Sequence, residues 1–587
     1  MARTEPNRNT LWARTLATEL GRHGLEHVCV GSGSRSAPLV DAFVRDAAFR
    51  VHPHIDERAA AFFALGVGAA TGRPAAVVTT SGTAAANLFP AVIEASQGEI
   101  PVLVITADRP AALRGLDANQ TIDQVRLFGT YPRCTLDLPL PWPGETALGF
   151  LRAVAARLWA AASEAPRGPV HLNVQLEKPL EPTLVPGDVL PGVSAAGDGG
   201  PGSPPSTAVI AGTRRSDQAE RALLEALGNA RRPVIVCGPT HASGSGPPAL
   251  KLAARITAPV LADPLSGARF HPDAPSAAVG WADAILRADD ARRVLAPDLV
   301  VRIGPAPTSA CVNQYLEDHH GAEQVVLDPG GRWKDHLGTA SRYLRVDAAV
   351  ALTRVTEKTG AVAEDGWLAR WRELEEAAGE ALAGHLADEW FEGAVANATF
   401  RSLPQDATFF IGNSMPIRDV DAFVPPSARA LHVVGFRGAS GIDGNVSGAI
   451  GAATARGRPA AALIGDLTLL HDVGALLGGR TLEAPLQIVV VQNRGGGIFH
   501  LLPIRDFDPP FTRHIVMPHD VDFAAVAAAG GITHRRTATR SDLEQALEEG
   551  WSGPGIGLIE VITDREDNRR RREAALSAAG EAVTRRL

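Results

Sequence analysis

Short aliphatic runs recur along the chain, separated by Ala-rich stretches, and each run ends on one of a few small or polar residues. RRPVIVCGPT at 231–240, APVLAD at 258–263, LVVRIG at 299–304, ATFFIGN at 407–413, AAALIGD at 460–466 and LQIVVVQN at 486–493 close on or just before Gly, Asp or Asn. Runs with little polar alternation are what strands covered on both faces need, and the intervening helices supply the cover, so the pattern predicts parallel α/β sheets. A helix is expected from about 365 in WLARWRELEEAAGEALAGHL. The pattern breaks at PGDVLPGVSAAGDGGPGSPPST, 186–207, where Gly, Pro and Ser displace the apolar residues of a packed element. The expected organisation is an α/β domain over 1–187, a linker at 188–207, a central α/β domain over 208–360 and a third α/β domain over 361–587.

The outer domains read as duplicates, because GVGAATGRPAAVVTTSGT at 66–83 parallels AIGAATARGRPAAALIGDLT at 449–468. In that alignment Ser81 stands where the second copy has Asp466, so one strand end is neutral and the other acidic. A divided role follows, with a metal-bound anion held by the acidic copy.

Composition narrows the function classes. A chain of 587 residues is long enough for about three domains. A net charge of −8 gives no basic field for nucleic acid, so no nucleic-acid partner is expected. The four cysteines, Cys29, Cys134, Cys237 and Cys311, have neither CxxC spacing nor a disulfide framework, which fits a reducing, cytoplasmic setting. The charged N-terminus and the lack of a long uncharged apolar run predict no membrane insertion. DREDNRRRREAAL at 564–576 reads as a solvated helix, since acids interleave the arginines.

The densest chemical signal is GDLTLLHDVGALLGGRTLEAPLQIVVVQNRGGGIF, from Gly465 to Phe499. As a right-handed strand–helix–strand unit it places Asp466 and Asn493 side by side at one sheet edge. Two hard oxygen ligands and a backbone carbonyl from the glycine run suit magnesium, with water and phosphate oxygens completing the shell. Gly465 lets the backbone approach the ligand, and the N-terminus of the following helix favours a diphosphate.

These residues resemble the thiamine-diphosphate-dependent enzymes, whose fingerprint is Gly-Asp, a spacer of this length, then Asn. The resemblance implies the domain order pyrimidine-binding, central, diphosphate-binding. It also implies a Mg2+ (or Mn2+) site at Asp466, Asn493 and the carbonyl of Gly495, departing from the usual pattern at Leu467, where many members have Gly. Thiamine chemistry further needs a carboxylate facing N1′ of the aminopyrimidine. Glu57, opening a helix before a long apolar run in VHPHIDERAAAFFALGVGAATG, is the candidate. Resemblance assigns Ile442, with Gly441, beneath the bent cofactor, and adds Ser414, Gly465, Leu467 and Ile498 to its binding set. In this family the carboxylate of one subunit serves the diphosphate site of another, so a homodimer or homotetramer is implied.

Further motifs narrow the branch: GSRSAPL, TSGTAAANLFPA, ADRPAALRGLDANQTI, GNSMPIRD and FRGASGIDG are similar to the menaquinone-pathway members, transferases that decarboxylate 2-oxoglutarate and add the product to isochorismate. Both substrates carry carboxylates, which call for guanidinium forks. Arg35, Arg109, Arg418 and Arg437 lie in these motifs, with Ser34, Gln120, Asn413 and Ser414 as neutral donors and Phe499 as an apolar wall. One departure is Ala310, where the branch often has a basic residue; either another residue such as Arg302 substitutes, or the isochorismate side of the site is arranged differently. The alternatives are another thiamine-diphosphate 2-oxo acid decarboxylase or carboligase, of the benzoylformate-decarboxylase or acetolactate-synthase type, and a non-catalytic protein that keeps the scaffold.

Overall fold

The computed structural model describes residues 5–195, 203–210, 212, 214–240, 244–478 and 482–587. Among them, seventeen strands form three all-parallel sheets. The first contains β1 (His27–Gly31), β2 (Arg50–His54), β3 (Ala75–Thr79), β4 (Val102–Asp108), β5 (Cys134–Leu138) and β6 (Pro169–Gln175), in the spatial order β2-β1-β3-β4-β6-β5. The second contains β7 (Pro233–Cys237), β8 (Val260–Ala262), β9 (Leu299–Ile303), β10 (Glu323–Leu327) and β11 (Arg342–Leu344), in the order β11-β10-β9-β7-β8. The third contains β12 (Thr408–Ile411), β13 (His432–Val434), β14 (Ala460–Gly465), β15 (Pro485–Gln492), β16 (Thr533–Thr537) and β17 (Gly555–Ile562), in the order β13-β12-β14-β15-β17-β16.

Numbered within themselves, the first and third sheets share one order, 2-1-3-4-6-5, as the internal sequence similarity implies. Burial follows position. β1, β3, β4, β6, β7, β9 and β12 are buried along their whole length, whereas the edge strands β2 and β16, RVHPH and THRRT, carry the His, Arg and Pro residues that an open edge tolerates.

Residues 1–212 and 436–455 form one compact unit, and 213–435 and 456–587 a second. In the first unit, helix Glu57–Thr71 packs backbone to backbone on helix Asn445–Arg456: a Cβ at Gly66 would lie 2.0 Å from the Gly448 carbonyl oxygen, so only glycine fits. The segment taken as a linker is irregular but not detached. Val189, Val193 and Ala195 are buried with Leu11 and Leu148, and Asp188 pairs with Arg8 at 2.6 Å; residues 196–202 of that segment lie outside the described residues. None of the four cysteines is in a disulfide.

In the second unit, helix Trp367–Asp388 packs beside the central sheet, with Trp367 Nε1 donating to the Pro233 carbonyl at 2.9 Å. The C-terminal helix Arg565–Arg586 differs from the solvated helix expected of its charged sequence. Asn568, Arg572, Ala575, Leu576, Ala579 and Val583 form a buried stripe at helical spacing, and Arg572 pairs with buried Asp419. No helix among the described residues is long and apolar enough to cross a membrane.

A buried polar ladder ties β4 to β6 in the first unit. Thr106 Oγ1 donates to Asn173 Oδ1 at 2.9 Å, so it accepts from His171 Nε2 at 2.8 Å; His171 Nδ1 is then the unprotonated, buried nitrogen. Burial lowers the His171 pKa from 6.5 to about 4. Above pH 6.5 neither folded nor unfolded chain carries this proton; between 6.5 and 4 only the unfolded chain takes it up, so stability falls as pH falls. Going from neutrality to about pH 4.5 should cost about 2–3 kcal/mol through this group. Denaturation at both pH values should therefore show a smaller acid-side loss in His171→Gln than in the parent protein.

Candidate active site

In an open parallel sheet, ligands meet the carboxyl ends of the strands where the chain order reverses direction. That point lies between β1 and β3 in the first sheet and between β12 and β14 in the third. The expected site residues follow the carboxyl ends of β1, β2 and β4 in the first sheet and of β12, β13, β14 and β15 in the third.

In the first unit, Asp56 caps helix Glu57–Thr71 by accepting from the Arg58 and Ala59 N–H groups, which fixes Glu57 as the first helical residue. Glu57 packs over the end of β1, where a Cβ at Gly31 would stand 3.2 Å from its Cγ. The loop after β3 and the loop after β4 meet through Arg109, whose guanidinium donates to Ser81 Oγ and, at 2.6 Å, to the Gln120 carbonyl. Gln120 Nε2 returns a bond to the Ser81 carbonyl at 3.1 Å. Where the third sheet has a carboxylate, this copy therefore has a hydroxyl that accepts from a cation. Arg35 lies in the same cluster: burial, then the neighbouring Arg109, pulls its pKa down, and its Nη1 donates to the Leu176 carbonyl at 2.7 Å. Two cations held this close suit an anionic ligand. Ser34, beside Arg35, is exposed.

The loop Phe436–Gly444, also in the first unit, carries Arg437, Gly441 and Ile442, all half-buried. It is pinned by Glu94, a residue with no distinguishing local signal in the sequence. Glu94 is 3% exposed and accepts from the backbone N–H groups of Gly438, Ala439 and Ser440 at 2.6, 2.7 and 3.0 Å. Burial pushes its pKa up and the three N–H bonds oppose that.

In the second unit, β14 and β15 run in register from Ala460 opposite Leu486 to Gly465 opposite Val491, so Asp466 and Asn493 emerge at the same edge. Asp466 Oδ2 accepts the Gly495 N–H at 2.9 Å, and Oδ1 accepts the Leu467 N–H at 2.7 Å. Burial raises the Asp466 pKa against these bonds, and His519 Nε2 stands 3.4 Å from Oδ2. Gly495 adopts φ +141°, and a Cβ there would strike the Val516 carbonyl oxygen at 2.6 Å, which explains glycine at this turn. The helix after β14 starts at Asp466 and spans Asp466–His471.

Asn493 supplies the informative detail. Its Nδ2 donates to Glu392 Oε1 at 2.8 Å, while its Oδ1 is buried without a hydrogen-bond partner among the described residues. A buried unsatisfied carbonyl beside a buried carboxylate, with the Gly495 carbonyl on the same loop, is a donor set that fits a hard divalent cation. The space over Gly465 is open, since a Cβ there would meet only Thr468 Oγ1 at 3.9 Å. Asn413 is buried directly after β12, and Ser414 holds a positive φ of 72° as it turns into helix Met415–Phe423. Arg418 Nη1 donates back to the Ser414 carbonyl at 2.6 Å. Ile498 and Phe499 are half-buried in the short helix Gly497–Leu501 after the glycine run.

Ala310 and Arg418 line one cavity of about 950 Å3, together with Arg287, Arg572, Asp283 and Leu576. Arg302 does not reach it as a substitute cation. It sits within β9, 1% exposed, with Nη1 bonded to Asp335 at 2.6 Å and Thr339 at 3.1 Å. Arg287, 2.9 Å from Asp283, is the guanidinium on the central-domain side of that cavity.

Comparison with known proteins agrees with this layout. Family profiles match in the order "Thiamine pyrophosphate enzyme, N-terminal TPP binding domain" at 12–127, "Middle domain of thiamine pyrophosphate" at 212–411 and "Thiamine pyrophosphate enzyme, C-terminal TPP binding domain" at 424–561. The 2-succinyl-5-enolpyruvyl-6-hydroxy-3-cyclohexene-1-carboxylate synthase of Halobacterium salinarum is 44% identical over 97% of this chain and 98% of its own. The proteins of the same name from Roseiflexus castenholzii and Roseiflexus sp. are 41% and 40% identical, each covering 98% of this chain and 99% and 98% of their own. With three parallel α/β domains in the matching order and relatives aligned along nearly its whole length, the chain belongs to the thiamine-diphosphate enzyme family, in its 2-succinyl-5-enolpyruvyl-6-hydroxy-3-cyclohexene-1-carboxylate synthase branch.

Proposed function

We propose that the protein uses thiamine diphosphate to decarboxylate 2-oxoglutarate and adds the succinyl carbanion equivalent to isochorismate, as a cytoplasmic homodimer or homotetramer in menaquinone biosynthesis. The observation that carries the reading is the buried Asp466 beside the unsatisfied Asn493 Oδ1 at the ends of adjacent strands. Asp466, Asn493 and the Gly495 carbonyl would hold Mg2+ or Mn2+ and through it the diphosphate. The bound cofactor supplies the electron sink for decarboxylation.

The chain's own groups do the rest. Glu57 would hold a proton at N1′ of the aminopyrimidine as the site's acid–base group. Ile442, Gly441, Ser414, Gly465, Leu467 and Ile498 would form the bed that holds the cofactor. Arg35, Arg109, Arg418 and Arg437 hold the substrate carboxylates. Ser34, Gln120, Asn413 and Ser414 donate to substrate oxygens, and Phe499 walls off water. By family resemblance, Glu57 of one subunit serves the Asp466 site of another.

The test is a coupled assay with thiamine diphosphate and Mg2+. Carbon dioxide release from 2-oxoglutarate, with the adduct formed only when isochorismate is added, is expected. Pyruvate accepted as donor in preference to 2-oxoglutarate would replace this reading with the acetolactate-synthase type.

A further inference from the structure

An asparagine amide can present either its oxygen or its nitrogen to a neighbour, and only the oxygen binds a cation. At Asn493 the surroundings decide which. Glu392, the first residue of helix Glu392–Arg401, is 2% exposed, and its Oε1 accepts from Asn493 Nδ2 at 2.8 Å and from Thr563 Oγ1 at 3.2 Å. Its own backbone N–H donates to Asn568 Oδ1 at 3.0 Å, which fixes the start of the helix. On another side, a Cβ at Gly497 would come within 2.7 Å of Asn493 Nδ2, so the glycine run closes around the amide. With the amide reversed, Asn493 Oδ1 would oppose an oxygen that already accepts from Thr563 Oγ1, and the amide hydrogens would point where a cation belongs.

We propose that Glu392 is a positioning residue for the cation: by accepting from Asn493 Nδ2 it dictates that Asn493 Oδ1 faces the metal. It touches neither substrate nor cofactor in this role. The inference rests on the reading of Asp466 and Asn493 as the metal site, so its test must separate the two.

The readout is Mn2+ affinity, measured by electron paramagnetic resonance in the presence of thiamine diphosphate on folded full-length protein. Removal of an outer partner of a metal ligand lowers metal affinity by about 10–100-fold, and Glu392→Leu should fall in that range. Glu392→Gln keeps an acceptor oxygen and should lose less. The decisive arm is a swap. Asn493→Asp sets two carboxylates against each other and should bind Mn2+ poorly; adding Glu392→Gln restores a donor opposite the new carboxylate and should recover roughly 10-fold or more of the lost affinity.

Asp466→Ala is the control for the site itself. If it abolishes Mn2+ binding while Glu392→Leu binds like the parent, or while the swap gives no recovery over Asn493→Asp, the role of Glu392 is overturned and the metal site stands. If Asp466→Ala leaves Mn2+ binding intact, the metal-site reading falls, and this inference with it. If Glu392→Leu does not fold, the swap alone decides.

Discussion

Glu57→Gln should lower kcat by roughly 10^2–10^4, the range contributed by a positioned acid–base group, which is about 3–5 kcal/mol of barrier. The substitution is nearly isosteric. The helix cap comes from Asp56, which bonds the Arg58 and Ala59 N–H groups and is untouched, so the melting temperature should hold. Gln cannot share a proton with N1′, whereas on the proposed reading metal and diphosphate are held by other residues. Cofactor affinity should therefore change far less than turnover. A folded Glu57→Gln protein with near-parental kcat would remove Glu57 from the mechanism.

Glu94→Ala should weaken cofactor use by about 10–100-fold, the equivalent of losing one charge-assisted hydrogen bond's worth of loop positioning. Three consecutive N–H groups converge on this one carboxylate, and the loop they belong to carries Arg437, Gly441 and Ile442. The loop also sits directly on helix Phe89–Gly98, where a Cβ at Gly438 would lie 2.4 Å from the Gly98 nitrogen, so no side chain can move in to replace the carboxylate. Stability should drop as well, because truncation leaves backbone donors without their acceptor. The check is the thiamine diphosphate concentration for half-maximal activity alongside a thermal melt. An unchanged half-saturation would mean that the loop keeps its position without Glu94.

What the sequence made legible follows from how each signal arises. Asp466 and Asn493 were readable because each stands at the end of a strand, and a parallel crossover forces adjacent strand ends together. The duplicate was readable because the same strand-and-helix sequence occurs twice, and the shared strand order bears it out. Glu94 and Glu392 were not, since their partners lie 344–346 and 101 residues away and neither position has a local pattern. His519 beside Asp466 escaped notice for the same reason. Arg302 was misjudged because a charge in an apolar run looks available, yet mid-strand burial with Asp335 commits it to the central core. The C-terminal helix was misread because its arginines obscured a stripe of small apolar residues that only the three-dimensional packing exposes.

Subunit complementation tests the central claim most directly. On the proposed dimeric assembly, Glu57→Gln and Asp466→Ala proteins should each be almost inactive, but dissociated and reassembled together they form heterodimers. If each active site takes its glutamate from one chain and its metal ligand from the other, every heterodimer contains one intact site, and the mixture should recover about a quarter of parental activity. Heterodimers verified by mass that stay as inactive as the two parents would contradict an active site built from Glu57 of one subunit and Asp466 of another.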